Sequence, residues 1–414
     1  MLPPVLEIFV VHHPDEPDGA ELARDVFAHF HGTPFSGLMG GAVEVYVRAE
    51  PWVYGQEAPR PIVFADDTPS NGLSSPRLFA IVLVLGNVLA RAVQHGDAWT
   101  GYIHRILQAQ SAHPDRVGIF PVALNETVVF GTLLGELLHN CQRIGASSGL
   151  GPPEPPSELR CRDLAQGIVQ LIAGPANRLQ VFISHTHRVG LGEEEDVPSL
   201  IKLVREIIAE TRLRYFFDAS DLQPGRNWDA ELRYQAASSA LVALRTDLYA
   251  SRAWCQREMR IAKHAGMPIV ILDSLGRGEE RGSFLMDHIP RIPIRDSELG
   301  WSKADIRRGL NLLVDECLKR ALWEVQRSLA ADRKDLSISW WAPHAPEPVT
   351  LAHWLRERAS EGASVIGDGN LRVLHPDPPL GPDELEALAE MVALMGHHGK
   401  VDIMTPRGLS ARGA

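Results

Sequence analysis

The sequence predicts an α/β protein whose parallel sheets are covered by helices on both faces. Between residues 179 and 330, short apolar strands alternate with amphipathic helices, which is the pattern of a parallel sheet. The first 174 residues repeat this order less clearly. A chain of 414 residues is too long for one ordinary core, so more than one domain is expected.

The alternation is most regular after residue 179. LQVFISH is predicted as a buried strand and VPSLIKLVREIIAETR as an amphipathic helix, because its apolar residues recur three and four positions apart. The strand LRYFFD, the helix NWDAELRYQAASSA and the strand ALVALR follow. The helix SRAWCQREMRIAKHAG comes next, with Ser251 as its expected N-cap and Gly266 as its expected end. The strand PIVILD and a helix over residues 303–329 complete this domain.

A partly similar copy of the helix that contains Trp254 lies upstream in the sequence. GDAWTGYIHRILQAQ places Trp99 155 residues before Trp254, a domain-sized period that indicates duplication. LEIFVVHH corresponds to LQVFISHT in the same way. However, Ile103 stands where the second copy has Glu258, and the first copy has no counterpart of the loop FDASDLQPGRNW.

Composition places the domain boundaries. GASSGLGPPEPPSE (145–158) is rich in Gly, Pro and Ser, and AADRKD (330–335) is a polar break. We therefore predict an α/β domain over 1–145, a linker and connecting helix over 146–178, and a second domain over 179–330. Residues 336–414, with a strand, helix, strand order, are expected to form a small α/β subdomain or a degenerate partial third copy.

Charge and cysteine usage exclude several function classes. A formal net charge of −11 argues against binding a phosphate backbone through bulk charge, so no direct nucleic-acid partner is expected. The four cysteines form no CxxC pair, and the histidines of the H-x-H sequence at 185–187 have no evident third ligand, so no metal site is predicted. With neither a signal peptide nor a membrane span recognised, the chain is expected to be cytoplasmic, with no membrane partner.

The candidate functional residues are expected to lie at one edge of the sheet. Ligands of open α/β sheets sit at the carboxyl ends of the strands, where VFISHTHR, FFDASDLQPGRNW and TDLYASRAWCQRE are expected to converge. Trp254 and Glu258, four residues apart, share one face near the start of their helix. An acid beside a flat indole suits the binding of a sugar or a cation.

Residues 179 to about 275 resemble a Toll/interleukin-1 receptor (TIR) domain of the bacterial type. VFISHT, DASDLQPGRNW and ALVALRTDLYASRAWCQRE carry the resemblance through their order and spacing. It implies a flavodoxin-like parallel sheet, preceded by a degenerate TIR-like copy in residues 1–145. It also implies either an assembly module or an enzyme that cleaves NAD. In the enzymes a glutamate four residues after a tryptophan is catalytic, which transfers that role to Glu258, with Trp254 as its neighbour.

The resemblance and the sheet edge together suggest roles for further residues. The expected substrate-binding residues are Phe182, Ser184, His185, Arg188, Trp228 and Trp254, with Arg188 meeting the pyrophosphate. The expected loop and assembly residues are Asp221, Pro224, Gly225 and Arg226. Purely structural interpretations stand beside these: Glu258 as a helix-dipole partner, Trp254 as core, Cys255 as a small buried apolar residue and Pro224-Gly225 as a turn.

The resemblance implies an NAD+ glycohydrolase that releases nicotinamide and ADP-ribose or a cyclic isomer, with NAD+ as substrate and no cofactor. It further implies prokaryotic anti-phage defence and activation by self-association into an oligomer or filament. The acid-less copy is then expected to be a scaffold, or a surface for an activating ligand or partner protein. Two alternatives remain: a non-catalytic signalling adaptor, and a synthase of a cyclic ADP-ribose messenger. Hydrolysis and cyclisation begin with the same bond cleavage, so the sequence does not separate them.

Overall fold

The structure is a computed structural model, in which the chain divides into two compact units. It describes residues 5–32, 35, 43–53, 55, 57–64, 76–124, 128, 130–144, 156–174, 179–186, 196–211, 213–216, 228–279, 281–294, 300–330, 337–361, 367–376 and 378–411. The first unit is Met1–Asn177 with Glu324–Ala330, and the second is Arg178–Trp323 with Ala331–Ala414. The domain boundaries given above stay predictions. Within the described residues, no helix is both long and apolar enough to span a bilayer.

The first unit contains a four-stranded parallel sheet of order β2-β1-β3-β4. Its strands are β1 (Leu6–Val11), β2 (Val43–Arg48), β3 (Leu78–Leu85) and β4 (Val117–Ala123). Its helices are α1 (Pro17–Phe30), α2 (Asn87–His95), α3 (Asp97–Ala112), α4 (Leu133–Leu137) and α5 (Pro156–Ala173). Every residue of β3 is buried, as expected for an inner strand that is covered on both faces.

The second unit contains a five-stranded parallel sheet of order β6-β5-β7-β8-β9. Its strands are β5 (Gln180–Ser184), β6 (Arg214–Phe216), β7 (Ala240–Arg245), β8 (Ile269–Asp273) and β9 (Arg291–Pro293). Its helices are α6 (Asp196–Ala209), α7 (Trp228–Ser238) and α8 (Ala253–His264), together with α9 (Lys303–Ala330) as far as Trp323. This is the 2-1-3-4-5 order of flavodoxin-like sheets, so the predicted fold class is confirmed.

The C-terminal residues of the second unit add a small parallel sheet of order β10-β11-β12. Its strands are β10 (Trp340–Trp341), β11 (Leu371–Leu374) and β12 (Val401–Met404), and its helices are α10 (Pro348–Ser360), α11 (Pro382–Leu394) and α12 (Pro406–Ala411). The predicted strand, helix and strand appear as β11, α11 and β12. The sequence pattern missed β10, α10 and α12.

Helix α10 begins with an uncommon cap. Glu347 is the N-cap residue, and its carboxylate accepts hydrogen bonds from the N–H groups of Val349 at 3.0 Å and Thr350 at 3.2 Å. Glutamate is not among the usual N-cap residues, which explains why this helix start was not predicted. Because Glu347 is also almost fully buried, its charge needs a partner from elsewhere in the fold.

Candidate active site

Glu258 lies where the carboxyl ends of two neighbouring strands meet the first half of α8. Ser184 is the last residue of β5, and Tyr249 opens a short 3-10 turn, Tyr249–Ser251, that follows β7. Since β5 pairs with β7 in parallel, these residues reach the same edge of the sheet. Ser184 and Glu258 were both expected at this edge, whereas Tyr249 was not singled out from the sequence.

The three side chains form a hydrogen-bonded chain. Ser184 Oγ donates to Glu258 Oε2 at 2.6 Å and lies 2.6 Å from the hydroxyl of Tyr249. The three residues are buried, with exposed fractions of 1% for Ser184, 0% for Tyr249 and 9% for Glu258. A carboxylate at this depth is costly unless it is hydrogen-bonded, and Ser184 supplies such a bond.

Burial also determines the chemistry of two neighbours of Glu258. It raises the pKa of Tyr249 well above the ordinary value, so the phenol remains protonated at neutral pH. Burial likewise raises the pKa of the Cys255 thiol, whose Sγ donates to the carbonyl of His185 at 3.6 Å. Cys255 is therefore an inert core thiol, which confirms the packing interpretation.

Trp254 differs from a core tryptophan. Its side chain is partly exposed, and the guanidinium of Arg257 lies 4.5 Å from the centre of its ring. Arg257 therefore makes a cation–π contact with the indole. This arrangement places an aromatic surface one helical turn before Glu258, so the role of Trp254 as a substrate platform stays a prediction.

The other predicted site residues are placed as follows. Phe182 is 1% exposed and belongs to the core cluster with Leu241 and Met259, and its role in substrate binding stays a prediction. His185 is half-buried, and its Nδ1 lies 3.1 Å from the carbonyl oxygen of Thr186. Arg188, Asp221, Pro224, Gly225 and Arg226 lie outside the described residues, as does the side chain of Trp228, the first residue of α7. Among the residues that the structure describes, no His, Cys, Asp and Glu group could hold a metal ion.

The ends of α8 correct one sequence prediction and confirm another. Ser251 does not cap α8, because the 3-10 turn ends there and Arg252 takes the N-cap position without a side-chain cap. Instead, Ser251 Oγ donates to the carbonyl of Leu248. Gly266 does end the helix: its φ is +65°, and its N–H donates to the carbonyl of Lys263.

The loop after β8 is fastened to the end of β7, beside Tyr249. The carboxylate of Asp247 accepts hydrogen bonds from three successive N–H groups, at 2.9 Å from Gly276, 2.8 Å from Arg277 and 3.1 Å from Gly278. The guanidinium of Arg245 pairs with Asp273 at 3.0 Å and with Glu279 at 2.6 Å. No local pattern in the sequence predicts these contacts.

The C-terminal end of α8 is held by α10. Lys263 Nζ lies 3.5 Å from Glu347 Oε1 and donates to the carbonyl of Asp287 at 2.9 Å, and both charged side chains are almost fully buried. One residue further, the rings of His264 and His353 stack with their centres 3.8 Å apart. The helix that carries Glu258 therefore packs against the C-terminal subdomain, a contact that sequence reasoning did not predict.

Comparison with protein families agrees with the fold of the five-stranded sheet. The model of the TIR domain family matches residues 181–299, which contain Ser184, Tyr249, Trp254 and Glu258. Among solved structures, the chain is similar to the TIR domains in the structure of the activated Roq1 resistosome directly recognizing the pathogen effector XopQ. That similarity has 16% sequence identity and a TM-score of 0.21, and it covers 36% of this chain and 99% of the other. Comparison with curated proteins gives no match.

The family match tests only part of the resemblance drawn from the sequence. The NAD-cleaving type, the bacterial origin and the descent of the first unit from a TIR domain stay predictions. The resemblance of the second copy itself is confirmed: residues 181–299 of this chain are a TIR domain.

Proposed function

We propose that the TIR domain cleaves the bond between nicotinamide and ribose in NAD+, with Glu258 as the catalytic residue. The observation that carries this proposal is the carboxylate of Glu258, which is buried at the carboxyl edge of a parallel sheet and held there by Ser184. That edge is where α/β folds place their ligands. NAD+ is a substrate in this role, and the reaction requires no cofactor.

The chemistry suits a single carboxylate. Cleavage develops positive charge on the ribose as nicotinamide leaves in neutral form, so the leaving group needs no proton. A carboxylate in a poorly hydrated position stabilises such charge more strongly than one in water. Water then adds to the ribosyl carbon and releases a proton, giving ADP-ribose, or an atom of the adenine adds and gives a cyclic isomer.

The proposal extends to biological context through the resemblance. We infer activation by self-association into an oligomer or filament, and a role in prokaryotic defence against phage within the cytoplasm. In this scheme the first unit, which has Ile103 in place of the acid, serves as a scaffold or as the receiver of an activating ligand or partner protein.

A non-catalytic assembly module is the second candidate, and one observation favours it. Glu258 is only 9% exposed and already accepts a hydrogen bond from Ser184, as a purely structural buried acid would. In that case the carboxylate would stabilise the start of α8 and the TIR surface would only bind other protomers.

The deciding experiment measures nicotinamide release from NAD+ by the purified full chain, at concentrations that permit assembly. Glu258→Gln and Glu258→Ala are expected to lower the rate roughly 10²–10³-fold with folding and oligomer size unchanged. Glu206→Gln, at a carboxylate on α6 that is 54% exposed, is the matched control. Chromatography of the product separates ADP-ribose from a cyclic isomer. Absence of cleavage in assembled wild-type protein would reject the enzyme in favour of the assembly module.

A further inference from the structure

The hydrogen-bonded chain at Glu258 has a fixed direction. A serine hydroxyl carries one proton, and Ser184 donates it to the carboxylate of Glu258. The bond between Ser184 and Tyr249 must therefore be donated by the phenol. Tyr249 thus donates to Ser184, and Ser184 donates to Glu258.

The surroundings of these three hydrogen-bonded side chains are dry and largely apolar. Tyr249 has no exposed surface and packs in the same core cluster as Phe182, Cys255 and Met259. The phenol keeps its proton at neutral pH, because burial raises the pKa of Tyr249. A donor in a dry environment is stronger than one in water, and successive hydrogen bonds polarise one another.

The first unit offers an internal comparison. The residue that corresponds to Ser184 is Val11, fully buried in the first core, and the residue that corresponds to Glu258 is Ile103. The hydroxyl and the acid are therefore missing together from the copy that is expected to be inactive. Helix α2 follows β3 in that unit, where the second unit has the short turn with Tyr249.

We propose that Tyr249 and Ser184 are positioning residues for the NAD-cleaving reaction: they hold the carboxylate of Glu258 in its charged form and in one orientation. The proposal rests on the function proposed above. A hydrogen bond donated to a carboxylate favours the ionised form, which opposes the effect of burial. Ser184 acts directly, and Tyr249 acts through Ser184 by orienting its hydroxyl.

The test compares Tyr249→Phe and Ser184→Ala with wild type through the pH dependence of NAD cleavage. Removal of either hydroxyl is expected to move the acidic limb of kcat to higher pH, by about one pH unit for Ser184→Ala and about half a unit for Tyr249→Phe. At neutral pH, kcat is expected to fall about tenfold in Ser184→Ala, which corresponds to ~1.4 kcal/mol, with little change in KM. Ser184→Thr keeps the hydroxyl and is expected to restore the wild-type profile.

Two controls and a double variant sharpen the result. Tyr234→Phe removes the hydroxyl of a side chain that is 64% exposed, and Ser251→Ala removes an exposed hydroxyl that donates to the carbonyl of Leu248. Neither is expected to alter the pH profile. Because Tyr249 acts through Ser184, Tyr249→Phe should have no additional effect in the Ser184→Ala background.

A second readout separates this proposal from the proposed function. In protein labelled with 13C at glutamate carboxyls, the signal of Glu258 is identified by its loss in Glu258→Gln and is then titrated. A midpoint that rises in Tyr249→Phe supports the proposal, even if wild type cleaves no NAD+ and the proposed function fails. An unchanged midpoint and an unchanged pH profile in folded Tyr249→Phe would overturn it and leave Tyr249 as a packing residue.

Discussion

The two units place a tryptophan helix between the third and fourth strands of a parallel sheet, yet they use it differently. In the first unit, Trp99 and Ile103 on α3 are 1% and 0% exposed and belong to the core. In the second, Trp254 on α8 is partly exposed and Glu258 takes the isoleucine position. The two helices differ partly because of the strand beside them: β1 of the first unit ends in Val11, whereas β5 of the second unit ends in Ser184, which has a hydroxyl. A core position becomes a candidate site only when another element supplies the hydrogen bond.

The largest expected effect comes from forcing the first unit to resemble the second. Ile103→Glu places a carboxylate among apolar side chains without a hydroxyl from β1, so we expect the first unit to lose more than about 4 kcal/mol and to unfold. Hydrogen exchange in β3 and β4 reports this loss. Gln108→Glu, at an exposed position of the same helix, is the control and is expected to change little. If the amides of β3 and β4 stayed protected from exchange in Ile103→Glu, hydrogen-bond donors or water would have to be present around residue 103.

Substitution of the two tryptophans is expected to affect different quantities: Trp99 mainly the stability of its unit, and Trp254 mainly the activity. Trp99→Ala is expected to cost about 3–5 kcal/mol, because it empties a large volume in a closed core. Trp254→Ala is expected to cost about 1 kcal/mol in stability, because the side chain is partly exposed. If the indole is a substrate platform, the same variant raises KM for NAD+ roughly tenfold, as expected for a loss of ~1.4 kcal/mol of binding. Urea unfolding followed by hydrogen exchange, together with kinetics, measures both quantities; equal stability losses would contradict the distinction.

A third contrast lies nine residues after each tryptophan, where the first unit has exposed Gln108 and the second has buried Lys263. Lys263→Met leaves the charge of Glu347 buried without its counter-ion, and breaking such a pair is strongly destabilising. We expect a loss of about 3 kcal/mol, at the low end of the range, because Glu347 keeps two backbone N–H donors.

The control for this pair is Lys202→Met on α6, where Lys202 and Glu206 are 79% and 54% exposed. Its expected cost is below about 0.5 kcal/mol. Removing both charges with Lys263→Met and Glu347→Gln should recover part of the lost stability, since no uncompensated charge remains. Thermal unfolding of the second unit is the measurement. If the double variant is less stable than Lys263→Met alone, the attraction between the two charges, and not the cost of removing them from water, dominates the contribution of this pair to stability.

The two units are also expected to respond in opposite directions to acid. Burial, followed by the neighbouring His353, lowers the pKa of His264 to about 4. The unfolded chain takes up this proton near pH 6.5, so the second unit loses stability as pH falls from about 6.5 to about 4. Burial, partly offset by Arg48, raises the pKa of Glu7 in β1 to about 7 from 4.5. The first unit therefore loses stability as pH rises from about 4.5 to about 7.

Urea midpoints for each unit between pH 4 and 7.5, read from hydrogen exchange, test these slopes. His264→Gln should flatten the profile of the second unit, and Glu7→Gln that of the first. Glu21→Gln, at an exposed residue of α1, should leave the first profile as it is. If the urea midpoints of both units changed with pH in the same direction, the assignment of these effects to His264 and Glu7 would be wrong.

Local pattern was sufficient for the inner strands of the sheets and for part of the site. The apolar runs that became β3, β5 and β7 were recognisable, and the convergence of Ser184 and Glu258 followed from the rule that parallel strands end at one edge. Tyr249 was missed because it lies 65 residues from Ser184, and nothing in its neighbourhood marks a buried tyrosine as a donor. Lys263 was missed for a similar reason: on a helix surface lysine usually indicates solvent, and its partner Glu347 caps a helix that the sequence did not reveal. The predicted cap at Ser251 was wrong because a 3-10 turn precedes α8.

The contact between Asp247 and the loop after β8 has a consequence for phosphate chemistry. Three successive N–H groups aimed at one point form a cradle of the kind that binds anions in many proteins. Here the carboxylate of Asp247 occupies the position that an anion would take, so these N–H groups are already hydrogen-bonded within the protein. A free phosphate would have to displace a covalently tethered competitor to bind there. Added phosphate is therefore not expected to bind at this corner of the sheet edge while Asp247 holds these N–H groups.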